Sequence, residues 1–280
     1  MIYLWALGSA VLYGAADFTG GLATRRASTI PIVLLSQLSG LLSLLLLLPL
    51  LGAATPTRLD IVWGVVAGLT GGVGVALLYR ALAIGTMAVV APTTAVCAVT
   101  IPVVASVVLG ERPPPVAVLG IVLGVMSIVL VSRQTTPVDG AAGYSKGVGT
   151  ALASGVMIGF FFLALAQTHT DAGMWPLVAS RSISVLIFGV AAIAGRSAIR
   201  MPVQVLGLAI LCGIIDMLAN ALYLLAARVG PLSIVVTLSS LYPASTVLLA
   251  RVVLGERLNL WQVSGVGCAL AAVVLIVSGS

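Results

Sequence analysis

The chain has 280 residues, of which 61% are hydrophobic and only 7% charged, against about 25% charged in an ordinary soluble domain, so a water-soluble fold is excluded. The formal net charge of +6 does not point to nucleic acid, because the basic residues sit singly at the ends of apolar runs rather than in one patch. Cys97, Cys212 and Cys268 each lie inside an apolar run and are odd in number, which argues against a disulfide framework, and no metal site or cofactor is expected.

A membrane-spanning helix needs about 20 apolar residues to cross roughly 30 Å of hydrocarbon. The apolar runs are continuous rather than alternating, so they read as helices and not as barrel strands. Cutting at charges, prolines and polar clusters predicts spans near 2–23, 31–52, 61–83, 87–109 and 116–132, then 147–167, 174–194, 203–227, 232–254 and 260–278. The first is read as a retained span, since it carries neither a basic leader nor a small-residue cleavage pattern before Arg25 and Arg26. The fold class is therefore an all-α integral membrane protein of ten helices.

The one sizeable hydrophilic link, 133–146, divides the chain into repeats 1–132 and 147–280. A constant shift of 145 positions relates them, pairing Ser9 with Ser154, Gly14 with Gly159, Gly85 with Gly230 and Gly120 with Gly265. The clearest pair is the six-residue Val-Val-Leu-Gly-Glu-Arg, which recurs from Val107 to Arg112 and from Val252 to Arg257. Five spans per repeat is an odd number, so the second repeat enters the membrane from the opposite side and the repeats are inverted.

Lys and Arg near span ends set orientation. One side collects Arg25, Arg26, Arg80, Arg133, Lys146, Arg196, Arg200, Arg251 and Arg257, and the other Arg58, Arg112 and Arg228. This bias predicts a multi-pass plasma-membrane protein with both termini outside and the 133–146 link in the cytoplasm. Trp5, Trp63 and Trp175 then fall at the outer interface and Trp261 at the inner.

These features resemble the EamA-type branch of the drug/metabolite transporter superfamily. The resemblance rests on the two five-helix repeats, Leu12-Tyr-Gly and Asp17-Phe in the first span, and Gly-Glu-Arg after spans four and nine, and it covers nearly the whole chain. It implies a ten-helix bundle whose central cavity carries metabolites, amino acids or drug-like compounds by alternating access. It also implies a hinge at Pro243, matching the family's proline in span nine, whereas Pro102 is displaced by one helical turn. The chain departs from many members in lacking Lys or Arg at its N-terminus.

An ionisable side chain deep in a span costs at least about 2.5–3.5 kcal/mol, so it normally faces a cavity or a partner. Asp17, Arg181 and Asp216 meet this condition. Asp17 is open to two readings, a helix-end carboxylate solvated near Arg25 or a proton or cation site lining the cavity. Asp216, Asn220 and Tyr223 share one helical face at mid-membrane, as a cavity wall or as an interhelical hydrogen-bond cluster. Arg181 lies at nearly the depth of Asp216, and the two are expected to pair. None of the three charges is duplicated in the other repeat, where Phe162, Ser36 and Gly71 stand. Tyr13, Gln37 and Tyr242 complete the candidate set for binding substrate or coupling ion. The Glu-Arg pairs at 111–112 and 256–257 are expected to anchor turns.

Enzyme chemistry is not expected: the aspartates lack an intramembrane protease pattern, His169 is alone, and no phosphate-cradling loop is present. The sequence reading is a secondary active transporter, an exporter of small metabolites, whose partners are a small-molecule substrate, the lipid bilayer and a coupling proton. The alternatives are a sugar-phosphate or nucleotide-sugar exchanger, which would need several basic cavity residues, and a membrane scaffold that carries nothing.

Overall fold

The computed structural model describes residues 1–50, 54–108, 114–132, 147–196, 201–229, 235, 238–239 and 241–278. Among them there is no strand. Ten α-helices have both ends among the described residues: α1 (Ile2–Thr24), α2 (Thr29–Leu47), α3 (Arg58–Ile84), α4 (Met87–Val108), α5 (Pro115–Ser132), α6 (Val148–Ala166), α7 (Trp175–Ala194), α8 (Val203–Val229), α9 (Tyr242–Leu254) and α10 (Leu260–Ser278). Six described stretches are long and apolar enough to cross a membrane: 29–50, 58–84, 148–166, 175–194, 203–223 and 260–278. Shorter apolar helical stretches run over 87–102, 118–130 and 242–254.

The helix starts follow from local chemistry. Thr57 and Asp60 form a reciprocal cap at α3: Thr57 Oγ1 accepts from the Asp60 amide (3.3 Å), and the Asp60 carboxylate accepts from the Thr57 amide (2.8 Å). Asn259 and Gln262 repeat the device before α10, with amide-to-side-chain bonds of 3.2 and 2.8 Å. Pro176 and Pro243 stand in the first turns of α7 and α9, where a missing N–H breaks no helical bond. Pro243 thus begins a helix here. The link 133–146 and the Glu111-Arg112 pair lie outside the described residues, as do Arg133, Lys146 and Arg200.

Large apolar side chains such as Leu4, Val11, Leu46, Val62, Leu186 and Ile193 point outward from the bundle, a surface suited to lipid rather than water. Small residues recur through the interior, where Ala6, Ala16, Ala23, Ala67, Ala81, Ala151, Ala209, Ala226 and Ala250 are buried beside larger side chains such as Ile32, Leu82 and Met217. In lipid the helices gain no hydrophobic advantage from touching one another, so close backbone approach and hydrogen bonds hold the bundle.

Both devices obey the repeat symmetry. A methyl group on Gly14 would strike Tyr242 O and Ser245 Oγ of α9, and one on the equivalent Gly159 would strike Ile101 of α4. Gly213 meets Ser36 O of α2, and the equivalent Gly68 meets Ser180 O of α7. The helix neighbours correspond in the same way: α1 packs on α8 and α9 as α6 packs on α3 and α4, and α2 packs on α8 as α7 packs on α3. The helices α5 and α10 pack on each other, with α4 beside them. Exchanging the halves leaves the packing of α1, α2, α8 and α9 and of α3, α4, α6 and α7 matched, as expected for two inverted five-helix repeats.

Candidate functional site

Asp17, Arg181 and Asp216 stand on α1, α7 and α8, which meet with α2. Arg181 of α7 donates through Nη2 to Asp216 Oδ2 of α8 and through Nη1 to Gln37 Oε1 of α2, the latter at 3.0 Å. Asn220, one turn beyond Asp216, donates from Nδ2 to the Asp216 carbonyl at 2.7 Å and lies 3.4 Å from its Oδ2. The expected Arg181–Asp216 pair is therefore present, with Gln37 and Asn220 as its hydrogen-bonding neighbours.

Room for the guanidinium comes from Gly40. It stands one turn beyond Gln37, and a methyl group there would lie 3.0 Å from Arg181 Nη1. The close approach of Gly213 to Ser36 draws α8 onto α2 and brings Asp216 within reach of Arg181. Neither glycine was singled out from sequence. Gly213 shares the register of the duplicated Gly68, and that repeat offset is the signal that could have marked it.

Asp17, four residues after Tyr13 on the same face of α1, is half-buried. Its carboxylate has no hydrogen-bond or ion-pair partner among the described residues, and Asp216 lies within electrostatic range. Tyr13 lies within range of Asp17, Asp216, Arg181 and Tyr223 and packs edge-on against Tyr242, with ring centroids 6.4 Å apart. Tyr242 lies within range of Asp17 in turn. Of the eight candidate residues, Arg181, Asp216, Gln37 and Asn220 form one bonded group and Tyr13 and Tyr242 one aromatic pair, with Asp17 on the Tyr13 face of α1; the eight include two carboxyls and one guanidinium. Tyr223 is packed near Ile2 and Trp5.

Two further residues adjoin the region. Cys212 is fully buried on α8, 3.0 Å from Tyr79 Oη of α3, and its Sγ donates to Ala16 O of α1 at 3.2 Å. A cysteine or tyrosine in an apolar run carries no charge to mark it, so spacing alone singled out neither. Among the described residues, no group of three His, Cys, Asp or Glu side chains is placed to hold a metal ion.

Polar clusters also occupy the bundle's two ends. At the end holding Trp63 and Trp175, Asp60 accepts from the His169 amide (2.8 Å) and pairs with His169 Nδ1 (3.0 Å). At the other end, Arg25 donates through Nη2 to Glu256 Oε1 at 3.1 Å. Glu256 also accepts from the amides of Met87 and Ala88, each at 3.1 Å. Glu256 therefore does anchor a turn, but it caps α4 in the other repeat.

The EamA-like transporter family model matches the chain twice, over residues 1–133 and 145–278. No curated protein sequence matches closely enough to serve as a relative. One solved crystal structure, of a protein 16% identical in sequence, superposes with a TM-score of 0.62 over 98% of this chain and 95% of that one, a likeness that speaks for the fold alone. Two matched copies of the family model, on two five-helix repeats of a membrane bundle, identify the chain as a membrane transporter that belongs to the EamA-like transporter family.

Proposed function

We propose that this transporter is a secondary active exporter of small metabolites, amino acids or drug-like solutes, working by alternating access, with Asp17 and Asp216 as the carboxylates that handle substrate or coupling proton. One observation carries the reading: the guanidinium of Arg181 is occupied by Asp216 and Gln37, while Asp17 beside them has no such partner. With all three groups ionised, the region holds one net negative charge. Such a site suits a proton, a cation or a zwitterion.

A sugar-phosphate or nucleotide-sugar exchanger needs cationic groups free to balance the anion. Arg181 is the one cation among the candidate residues, and it is already paired. Asp17 would add repulsion. The orientation proposed is that of the charge bias, with the basic end cytoplasmic, both termini outside and the bundle in the plasma membrane.

The test is gradient-dependent movement of a pooled amino-acid and metabolite mixture across liposomes containing the purified protein, preloaded to follow export, with Asp17→Asn and Asp216→Asn alongside. Each substitution keeps shape and removes charge, so both variants are expected to insert normally and to lose most proton-driven flux. Wild-type flux in both variants would return the carboxylates to structural roles, and flux indifferent to the gradient would replace coupled export with facilitated diffusion or exchange.

A further inference from the structure

The side-chain bonds between helices divide the molecule along a line that is not the repeat boundary. Ser245 Oγ to Ala10 O (3.2 Å), Thr246 Oγ1 to Gly14 O (3.1 Å) and Ser39 Oγ to Ile210 O (3.1 Å) knit α9 to α1 and α2 to α8. Ser154 Oγ to Gly74 O (2.8 Å), Ser184 Oγ to Gly68 O (2.9 Å) and Thr94 Oγ1 to Ala151 O (3.2 Å) knit α6 to α3, α7 to α3 and α4 to α6. With the close approaches of Gly14, Gly64, Gly68, Gly155 and Gly213 to neighbouring backbone, these define two four-helix bodies: α1, α2, α8 and α9, and α3, α4, α6 and α7. Each takes two helices from each repeat. Exchanging the repeats exchanges the bodies.

The bonds that cross between bodies are of another kind. Arg181 reaches from α7 to Asp216 and Gln37 in mid-bundle, and Tyr79 of α3 meets Cys212 of α8. At the basic end, Arg25, which follows α1, and Glu256, which follows α9, belong to one body and together grip the α3–α4 turn of the other. Arg25 Nε donates to Leu82 O (3.3 Å) and Nη2 to Gly85 O (3.1 Å), which satisfies carbonyls at the end of α3. Glu256 satisfies the first amides of α4, where the helix dipole favours a negative charge. At the opposite end, the Asp60–His169 pair stays within one body, joining α3 to the α6–α7 link. The grip is not fully duplicated in sequence either, since Arg25 corresponds to Thr170.

We infer that the Arg25–Glu256 pair is a clamp that holds the basic end shut by tying the α3–α4 turn of one body to the α1 and α9 ends of the other, and that it must release for the bodies to part there. The inference rests on the alternating-access reading above. The pair is partly shielded, with 27% of the Arg25 and 12% of the Glu256 side chain exposed, so it is strong enough to hold and near enough to water to open.

Cys212 reports the separation, because it is fully buried and touches Tyr79 across the divide. In protein carrying Cys97→Ala and Cys268→Ala, reconstituted in nanodiscs without any solute, maleimide labelling of Cys212 is expected to be slow. Glu256→Gln or Arg25→Gln should raise the rate about tenfold, the scale of losing one hydrogen bond to a charged group. Asp60→Asn, whose bonds lie within one body, should leave it unchanged. Arg25→Gln keeps the Glu256 cap on α4 and supplies the reading if Glu256→Gln does not fold. Wild-type labelling in folded variants, or an equal rise in Asp60→Asn, would overturn the clamp. No solute is present, so the outcome is read separately from flux.

Discussion

Arg181→Ala is expected to lower the stability of the detergent-solubilised protein by about 3 kcal/mol, the low end of the cost of breaking a buried ion pair from one side. The low end applies because 13% of the Arg181 and 26% of the Asp216 side chain remain exposed. The variant leaves the Asp216 carboxylate without its cation and Gln37 Oε1 without its donor, while the space beside Gly40 opens into a cavity. Removing both charges, as Arg181→Ala with Asp216→Ala, should restore much of the loss, because the uncompensated ion and not the missing attraction carries most of the cost. Thermal unfolding of the two variants against wild type measures this. A double variant less stable than Arg181→Ala by the full cost of a second independent mutation would show that the two residues do not act as a pair.

The same pair shows how much of the site was legible in sequence. A charge inside an apolar run is expensive, so Asp17, Arg181 and Asp216 stood out, and equal depth along their spans was enough to pair two of them. Asn220 followed from helical periodicity. Gly40, Gly213, Tyr79 and Cys212 carry no such cost, and their parts depend on which helices touch, which spacing within one helix does not determine. Glu256 is the intermediate case: its place after span nine marks it as an anchor, but only the packing of one repeat on the other puts it on α4.

Helix positions were legible for a related reason. The capping residues, the prolines and the length needed to cross hydrocarbon act locally, so spans such as 61–83 and 260–278 correspond closely to Arg58–Ile84 and Leu260–Ser278. The ninth span differs. Its apolar run is continuous over 232–254 in the sequence, whereas α9 begins at Tyr242, with Pro243 in its first turn. Apolar composition does not fix where a helix begins, and it is the missing N–H of Pro243 that favours a first turn there.

The repeat symmetry makes the second large prediction a paired one. Gly213→Ala and Gly68→Ala are each expected to destabilise the protein by about 2–3 kcal/mol, as overpacking against backbone does, and by similar amounts. In both, the new methyl group meets a serine carbonyl of the neighbouring helix, Ser36 O in one case and Ser180 O in the other, and a backbone oxygen cannot rotate aside. Gly207→Ala, on the same helix as Gly213 with nothing within 4 Å of the added carbon, should instead be neutral or stabilising by up to about 1 kcal/mol, since alanine is the better helix former. The consequences for the site should differ although the stabilities match. Gly213 seats the helix that carries Asp216, so its variant should also impair flux at temperatures where the protein remains folded. Gly68 lies on α3, whose position equivalent to Asp216 is the uncharged Gly71, so a folded Gly68→Ala protein should keep a larger share of its flux. Equal flux losses in the two variants would mean that both bodies must keep their internal geometry for transport, and that the specialisation of α8 lies in its charge alone.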